Sequence, residues 1–173
     1  KAKVGENEAE RVKNEAAKRG TAMHEYLEYY LQEKKLLDLS TEGQAARSMA
    51  RAIIDQGLSG MEEIWGSEVT LFYPGLYAGQ TDLCGIYSGR ESIIDFKQTN
   101  KPKKREWIED YFLQLAAYAM AHDVIYGTCV DQGVILMCSK DGFFQKFTSN
   151  GGEFTRFKHK FLGKIDQFYQ KKK

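Results

Sequence analysis

Asp95 and Lys97 stand one residue apart at the end of an apolar run, Ser92-Ile93-Ile94-Asp95-Phe96-Lys97. On a strand, residues two apart point to the same face, so the carboxylate and the ammonium leave the sheet side by side. A plain ion pair contributes little at a surface; an acid and a base at the end of so apolar a strand are placed for chemistry. The chain just upstream supplies a partner. Ser88-Gly89 is a two-residue hairpin signal. It sets Tyr87 opposite Arg90, Asp82 opposite Asp95 and Gln80 opposite Lys97. Directly opposed residues have Cβ atoms roughly 4.5–5.5 Å apart. Two aspartates so placed repel unless a cation lies between them, and carboxylate oxygens suit a hard ion such as Mg²⁺ or Mn²⁺. Lys97 beside such an ion could orient or activate a water, or offset charge developing on a phosphate. The competing readings are a solvated hairpin face for the two acids and a simple ion pair with Asp95 for Lys97. One β-bulge would shift the register.

The elements that must position these residues follow from periodicity and breakers. Residues 1–19 are polar, charged and rich in alanine, an exposed helix or a frayed terminus. Gly20-Thr21 punctuates the chain, with Thr21 as an N-cap. Met23, Leu27, Tyr30 and Leu31 then predict an amphipathic helix from Thr21 to Lys35, with His24 beside its apolar stripe. Residues 36–41 connect to a second helix marked by Ala46, Met49, Ala50, Ile53 and Ile54 and stopped at Gly57. Strands are expected over 62–73, with Glu68 inside it and Pro74-Gly75 ending it, then over 76–87 and 90–97. A basic loop, Lys101-Pro102-Lys103-Lys104-Arg105, precedes a long helix from about Glu106 to His122. Strands over 133–139 and 143–148 form a hairpin around Lys140-Asp141-Gly142, and a helix over 153–169 closes the chain, with its Phe series read as core. No repeat or linker is visible, so the expectation is one α/β domain: a mixed sheet flanked by helices, with residues 1–58 as N-terminal helices and 61–173 as the core.

Composition narrows the class. The 173 residues carry a net charge of +1 and 28% charged residues, ordinary for a globular protein. No apolar run approaches the length of a membrane helix, and no signal peptide is apparent, although the sequence begins without Met. The three cysteines (Cys84, Cys129, Cys138) fit neither a disulfide framework nor a metal or iron–sulfur spacing, which favours a reducing, intracellular setting. The basic run after Lys97 could contact a phosphate backbone and give salt-sensitive affinity; it could equally be a solvated loop. Trp107 and the tyrosines could stack on unpaired bases or serve as core and interface aromatics.

Four motifs in order resemble the RecB-like branch of the PD-(D/E)XK nucleases: Gly20-Thr21-Ala22-Met23-His24, Gly79-Gln80-Thr81-Asp82, Asp95-Phe96-Lys97 and Gln114-Leu115-Ala116-Ala117-Tyr118. Within it, the run from Gly79 is most similar to the mitochondrial genome maintenance exonuclease group and its phage and bacterial relatives, through Ile94-Asp95-Phe96-Lys97, Asn100-Lys101-Pro102-Lys103 and Lys140-Asp141-Gly142. The resemblance covers most of the chain from Gly20. It implies a restriction-endonuclease-like core in which Asp82 and Asp95 ligate a metal with the Phe96 carbonyl, and Lys97 is the catalytic lysine. It implies that His24 ligates the metal or lies close to it, and that Glu68 is a further acid. Gln114 and Tyr118 match an element that contacts DNA and steadies the site; they are four apart, neighbours on one helix face that Tyr111 and His122 extend. Core packing remains open for Tyr118, a satisfied half-buried histidine for His24, and a strand-surface charge for Glu68. The second acid is Asp rather than Glu, and the cysteines that hold an iron–sulfur cluster in some relatives are absent, so no cluster is expected.

The function so implied is Mg²⁺- or Mn²⁺-dependent hydrolysis of DNA near ends, by a monomer with no membrane partner and a preference for single-stranded or flapped DNA. The N-terminal helices are candidates to cover the site. A structure-selective endonuclease or junction resolvase is the enzymatic alternative, and a silent DNA-binding module the non-enzymatic one. The setting would be a bacterial or phage-infected cytoplasm or a mitochondrial matrix.

Overall fold

The computed structural model describes residues 2–32 and 40–172. In chain order they form α1 (Ala2–Leu31), α2 (Thr41–Gln56), β1 (Met61–Tyr73), β2 (Tyr77–Tyr87), β3 (Arg90–Thr99), α3 (Glu109–Tyr126), β4 (Gln132–Ser139), β5 (Phe144–Asn150) and α4 (Gly151–Gln170). The strands make one sheet in the order β1-β2-β3-β4-β5, which puts β3 in the middle. β1, β2 and β3 are antiparallel neighbours. At one end of β3 the Glu91 carbonyl accepts from Asp131 N–H, and at the other the Thr99 carbonyl accepts from Lys140 N–H. These two bonds advance together along both strands, so β3 and β4 run parallel, with α3 as their crossover. β4 is buried along its whole length, as expected of a strand covered on both faces.

The hairpin turn after β2 folds as its sequence predicts. Ser88 (φ 48°) and Gly89 (φ 79°) both take positive φ, the type I′ pattern that matches strand twist. The ladder pairs Tyr87 with Arg90 and continues unbroken to Leu83 with Ile94.

Chain contacts divide into two compact units. The first takes in the chain up to Ser59 with Phe96–Pro102 and Met137–Gln145. Its core is Met23, Leu27, Ala46, Met49, Ala50 and Ile53, all buried on the facing stripes of α1 and α2. Ser40 caps α2, its hydroxyl oxygen accepting from Gly43 N–H. The second unit is Gly60–Asp95, Lys103–Leu136 and the chain from Lys146 on. There α3, buried on several faces, packs against β1 and β2 of the sheet and the aromatic face of α4. Phe112 stacks on Phe157 at 5.4 Å, and Tyr77 meets Phe161 edge-on at 5.0 Å.

Three expectations change. Gly20-Thr21 does not break the chain: α1 runs through it, and Thr21 is mid-helix. The glycine serves close approach instead, since a Cβ there would sit 3.1 Å from Gln98 Cγ. The expected end of that helix at Lys35, and most of the connector that follows, lie outside the described residues. α3 starts at Glu109, after a short 3-10 turn over Arg105–Trp107, and runs on to Tyr126, where Gly127 (φ 68°) closes it in the left-handed region. Of the Phe series in α4, Phe154 is core, Phe157 and Phe161 are half-buried, and Phe168 is 55% exposed.

Candidate active site

Asp95 is a carboxylate only 4% exposed. It sits on β3 one residue beyond Leu83–Ile94, the last pair of the β2–β3 ladder. Two donors reach its Oδ1 at long range: Asp82 N–H at 3.4 Å and the Thr81 hydroxyl at 3.4 Å. Thr81 is fully buried between the two acids. Lys97, half-buried, follows on the same strand with its side chain on the same face.

β1 adds a third acid to this row. Ser67 pairs with Leu83 and Val69 with Thr81, so Glu68 sits between two paired positions of the ladder, level with Asp82. Glu68 itself has φ 51°, and its carbonyl accepts from Gln80 Nε2 at 3.1 Å. A non-glycine residue in the left-handed region costs roughly 1–2 kcal/mol, and such strain gathers at functional positions.

Tyr118 and Gln114 meet the same row from α3. Gln114 Nε2 donates to the Tyr118 hydroxyl oxygen at 3.0 Å. Burial, then the negative charge of Asp95, push the Tyr118 phenol up, so it keeps its proton as a donor. The ring needs Gly79, because a Cβ at that position would lie 2.5 Å from Tyr118 Cε1. Gly79 of one motif is therefore the seat for Tyr118 of another.

In the first unit, His24 Nδ1 lies 2.8 Å from the Gly20 carbonyl oxygen. A carbonyl can only accept, so Nδ1 carries the proton of this bond and Nε2 is the ring's other nitrogen. The imidazole ring is 6.3 Å from the ring of Phe96, the residue after Asp95. Sequence reading passed over Arg19, which is 5% exposed and donates from Nη2 to Asn100 Oδ1 at 2.8 Å. The signal was available: Arg19, Met23 and Leu27 share one helical stripe, and a charge on an apolar stripe asks for a partner.

The basic segment divides by environment. Lys101, Lys103, Lys104, Arg105 and Trp107 are all exposed, Trp107 at 62%. Lys104 Nζ sits 5.3 Å from the Trp107 ring. Arg105 is engaged within the protein: its guanidinium lies over the Phe112 ring and pairs with Glu153. His122 does not extend the Gln114–Tyr118 stripe into this site; it bonds Thr128 and stacks on Trp65.

Among the described residues no group of three or more His, Cys, Asp or Glu side chains is gathered at metal-binding spacing. A cation bound by only one or two carboxylates would have to complete its shell with water or phosphate. No helix among those residues is long and apolar enough to cross a membrane.

No model of a known protein family matches the chain. Human mitochondrial genome maintenance exonuclease 1 is 39% identical over 71 residues, which is 38% of this chain and 20% of the human protein. The match thus spans about a fifth of that relative's length. Among solved structures, a candidate exonuclease from Eubacterium rectale superposes with a TM-score of 0.65 at 12% identity, covering 91% of this chain and 65% of that one. By its architecture the chain has a restriction-endonuclease-like fold, and a stretch of 71 residues is similar in sequence to the human exonuclease.

Proposed function

We propose that this chain is a Mg²⁺- or Mn²⁺-dependent deoxyribonuclease that hydrolyses phosphodiester bonds near DNA ends, taking single-stranded or flapped DNA. The observation that carries this reading is Asp95: a nearly buried carboxylate whose Oδ1 is met by the Asp82 main-chain N–H, two residues before Lys97 on one strand. When bound, a divalent ion supplies Lewis acidity and a water of lowered pKa. Asp82 and Asp95 would hold it with the Phe96 carbonyl, with Glu68 acting on the water and His24 a group close to the ion rather than a ligand. Lys97 orients the attacking water and offsets charge developing on the phosphate. Tyr118, protonated and seated on Gly79, donates towards the acids and steadies Gln114 for contact with the strand. Lys101, Lys103 and Lys104 give sequence-independent affinity for phosphates, Arg105 adds to their field from its Glu153 pair, and Trp107 offers an exposed face for an unpaired base.

End-labelled linear and circular single strands, incubated with Mg²⁺ or Mn²⁺, test this reading. Shortening of linear strands with circles intact is the expected result. Cut circles would make the protein a structure-selective endonuclease, and binding without cutting in either metal would make it a silent DNA-binding module.

A further inference from the structure

One cavity of the second unit carries chemistry that the acids do not use. It has a volume of about 230 Å³ and is walled by Trp65, Val69, Cys84, His122, Tyr126 and Thr128. Trp65 is the extra residue of a bulge in β1, between the Ile64–Gly85 and Gly66–Cys84 pairs. Bulges re-aim side chains, and this one stacks Trp65 on His122 at 5.5 Å with a 20° tilt. Tyr126 meets the other side of the constellation, 4.7 Å from the imidazole.

His122 is 3% exposed and oriented by a relay. Its Nδ1 is 2.7 Å from the Thr128 hydroxyl oxygen, which is 2.8 Å from Asp123 Oδ1. A carboxylate only accepts, so the Thr128 proton goes to Asp123 and the Thr128 oxygen accepts from Nδ1–H. Asp123 is held in turn by Val130 N–H at 2.9 Å and faces Lys158 Nζ at 4.0 Å. The relay leaves Nε2 as the lone-pair nitrogen, and among the described residues nothing donates to it. Burial keeps the ring neutral.

The cavity thus offers aromatic walls and one buried acceptor, with no cation or carboxylate in its lining. That selects against a phosphate or a metal ion and for a flat heteroaromatic ring bearing an N–H. A cavity of about 150 Å³ takes benzene, so this one has room for a bicyclic ring. We propose that it binds a nucleobase, whose exocyclic amine donates to His122 Nε2 while the ring packs against Trp65 and Tyr126. The source of that base, an unstacked nucleotide of a bound strand, rests on the nuclease reading.

The test uses the full chain carrying Trp107→Phe, in which Trp65 is the remaining one of two tryptophans. Titration with adenosine should quench Trp65 fluorescence saturably. N6,N6-dimethyladenosine, which lacks the amine N–H, should bind about tenfold more weakly to the same unaltered pocket, the cost of a buried acceptor left without its donor. His122→Leu should weaken adenosine similarly, and Thr128→Val, which releases the tautomer, should weaken it by less. Quenching that never saturates, or equal affinity for the two nucleosides, overturns the proposal whatever the variants do. The nuclease reading is tested apart from it: adenosine binding should be unchanged in Lys97→Ala. Strand cleavage that persists while adenosine fails to bind sinks the cavity alone.

Discussion

The surroundings of Asp95 and those of His122 solve the same problem in opposite ways. Both are ionisable side chains almost wholly removed from solvent. The His122 relay is built from bonds of 2.7–2.9 Å that end on a carboxylate. The donors that reach Asp95 do so at 3.4 Å, from a hydroxyl and a main-chain N–H. Short, closed networks rigidify and stabilise. The comparison sets a neutral ring tied to the fold through its Nδ1 against a carboxylate buried on the middle strand of the sheet.

The sharpest way to break it is Lys97→Ala, expected to reduce DNA cleavage by about 10³-fold while strand affinity, read by filter binding, stays near the parent value. Collapse of affinity as well would make Lys97 a phosphate anchor. Asp95→Asn extends the contrast: metal affinity measured by calorimetry falls sharply, yet stability to urea is unchanged or raised, because an amide is cheaper to bury than a carboxylate. If Asp95→Asn unfolds the protein, Asp95 belongs with the structural acids. Thr128→Val is the mirror experiment. It should cost about 1–3 kcal/mol in urea denaturation by stranding His122 Nδ1–H, while Asp123 Oδ1 keeps the Val130 N–H.

Acid titration sharpens the same point. Burial holds His122 below its ordinary value of 6.5, against the opposing pull of Asp123 and Glu91. A depressed folded value means the folded protein resists protonation, so stability is present above pH 6.5 and lost as pH falls from there through the folded value. The loss should be shallower in His122→Gln; identical slopes would clear His122 of any part in acid unfolding. The smallest effect is expected from neutralising Lys103 and Lys104, which should lower the salt slope of DNA binding by about one per lysine and leave the turnover of bound strand alone.

Much of the site was legible because it is local. The Ser88-Gly89 turn dictates its own backbone, and with it the register that pairs Tyr87 with Arg90 and Leu83 with Ile94. What was not legible is long-range. A glycine in sequence reads as a break, and Gly20 turned out to be a space filled by Gln98 from another element. Gly79 likewise reveals its purpose only when Tyr118, far along the chain, is seen in the volume a Cβ would take. The His122 relay needs the helix end at Gly127 to return Thr128 beneath the imidazole, and the spacing of a helical stripe says nothing about a residue beyond the helix. In α4 the aromatic periodicity was right, but Phe168, near the end of the helix, is left largely to solvent.

The left-handed backbone of Glu68 sets stability against use. Glycine or asparagine would sit in that conformation with less strain, so random variants of this protein screened for heat resistance alone should accumulate them at position 68. Variants screened for cleavage should keep Glu68 and its strain. The two screens, run on one library, would show from the residue each enriches whether the twist in β1 is an accident of the bulged strand or the setting of a working carboxylate.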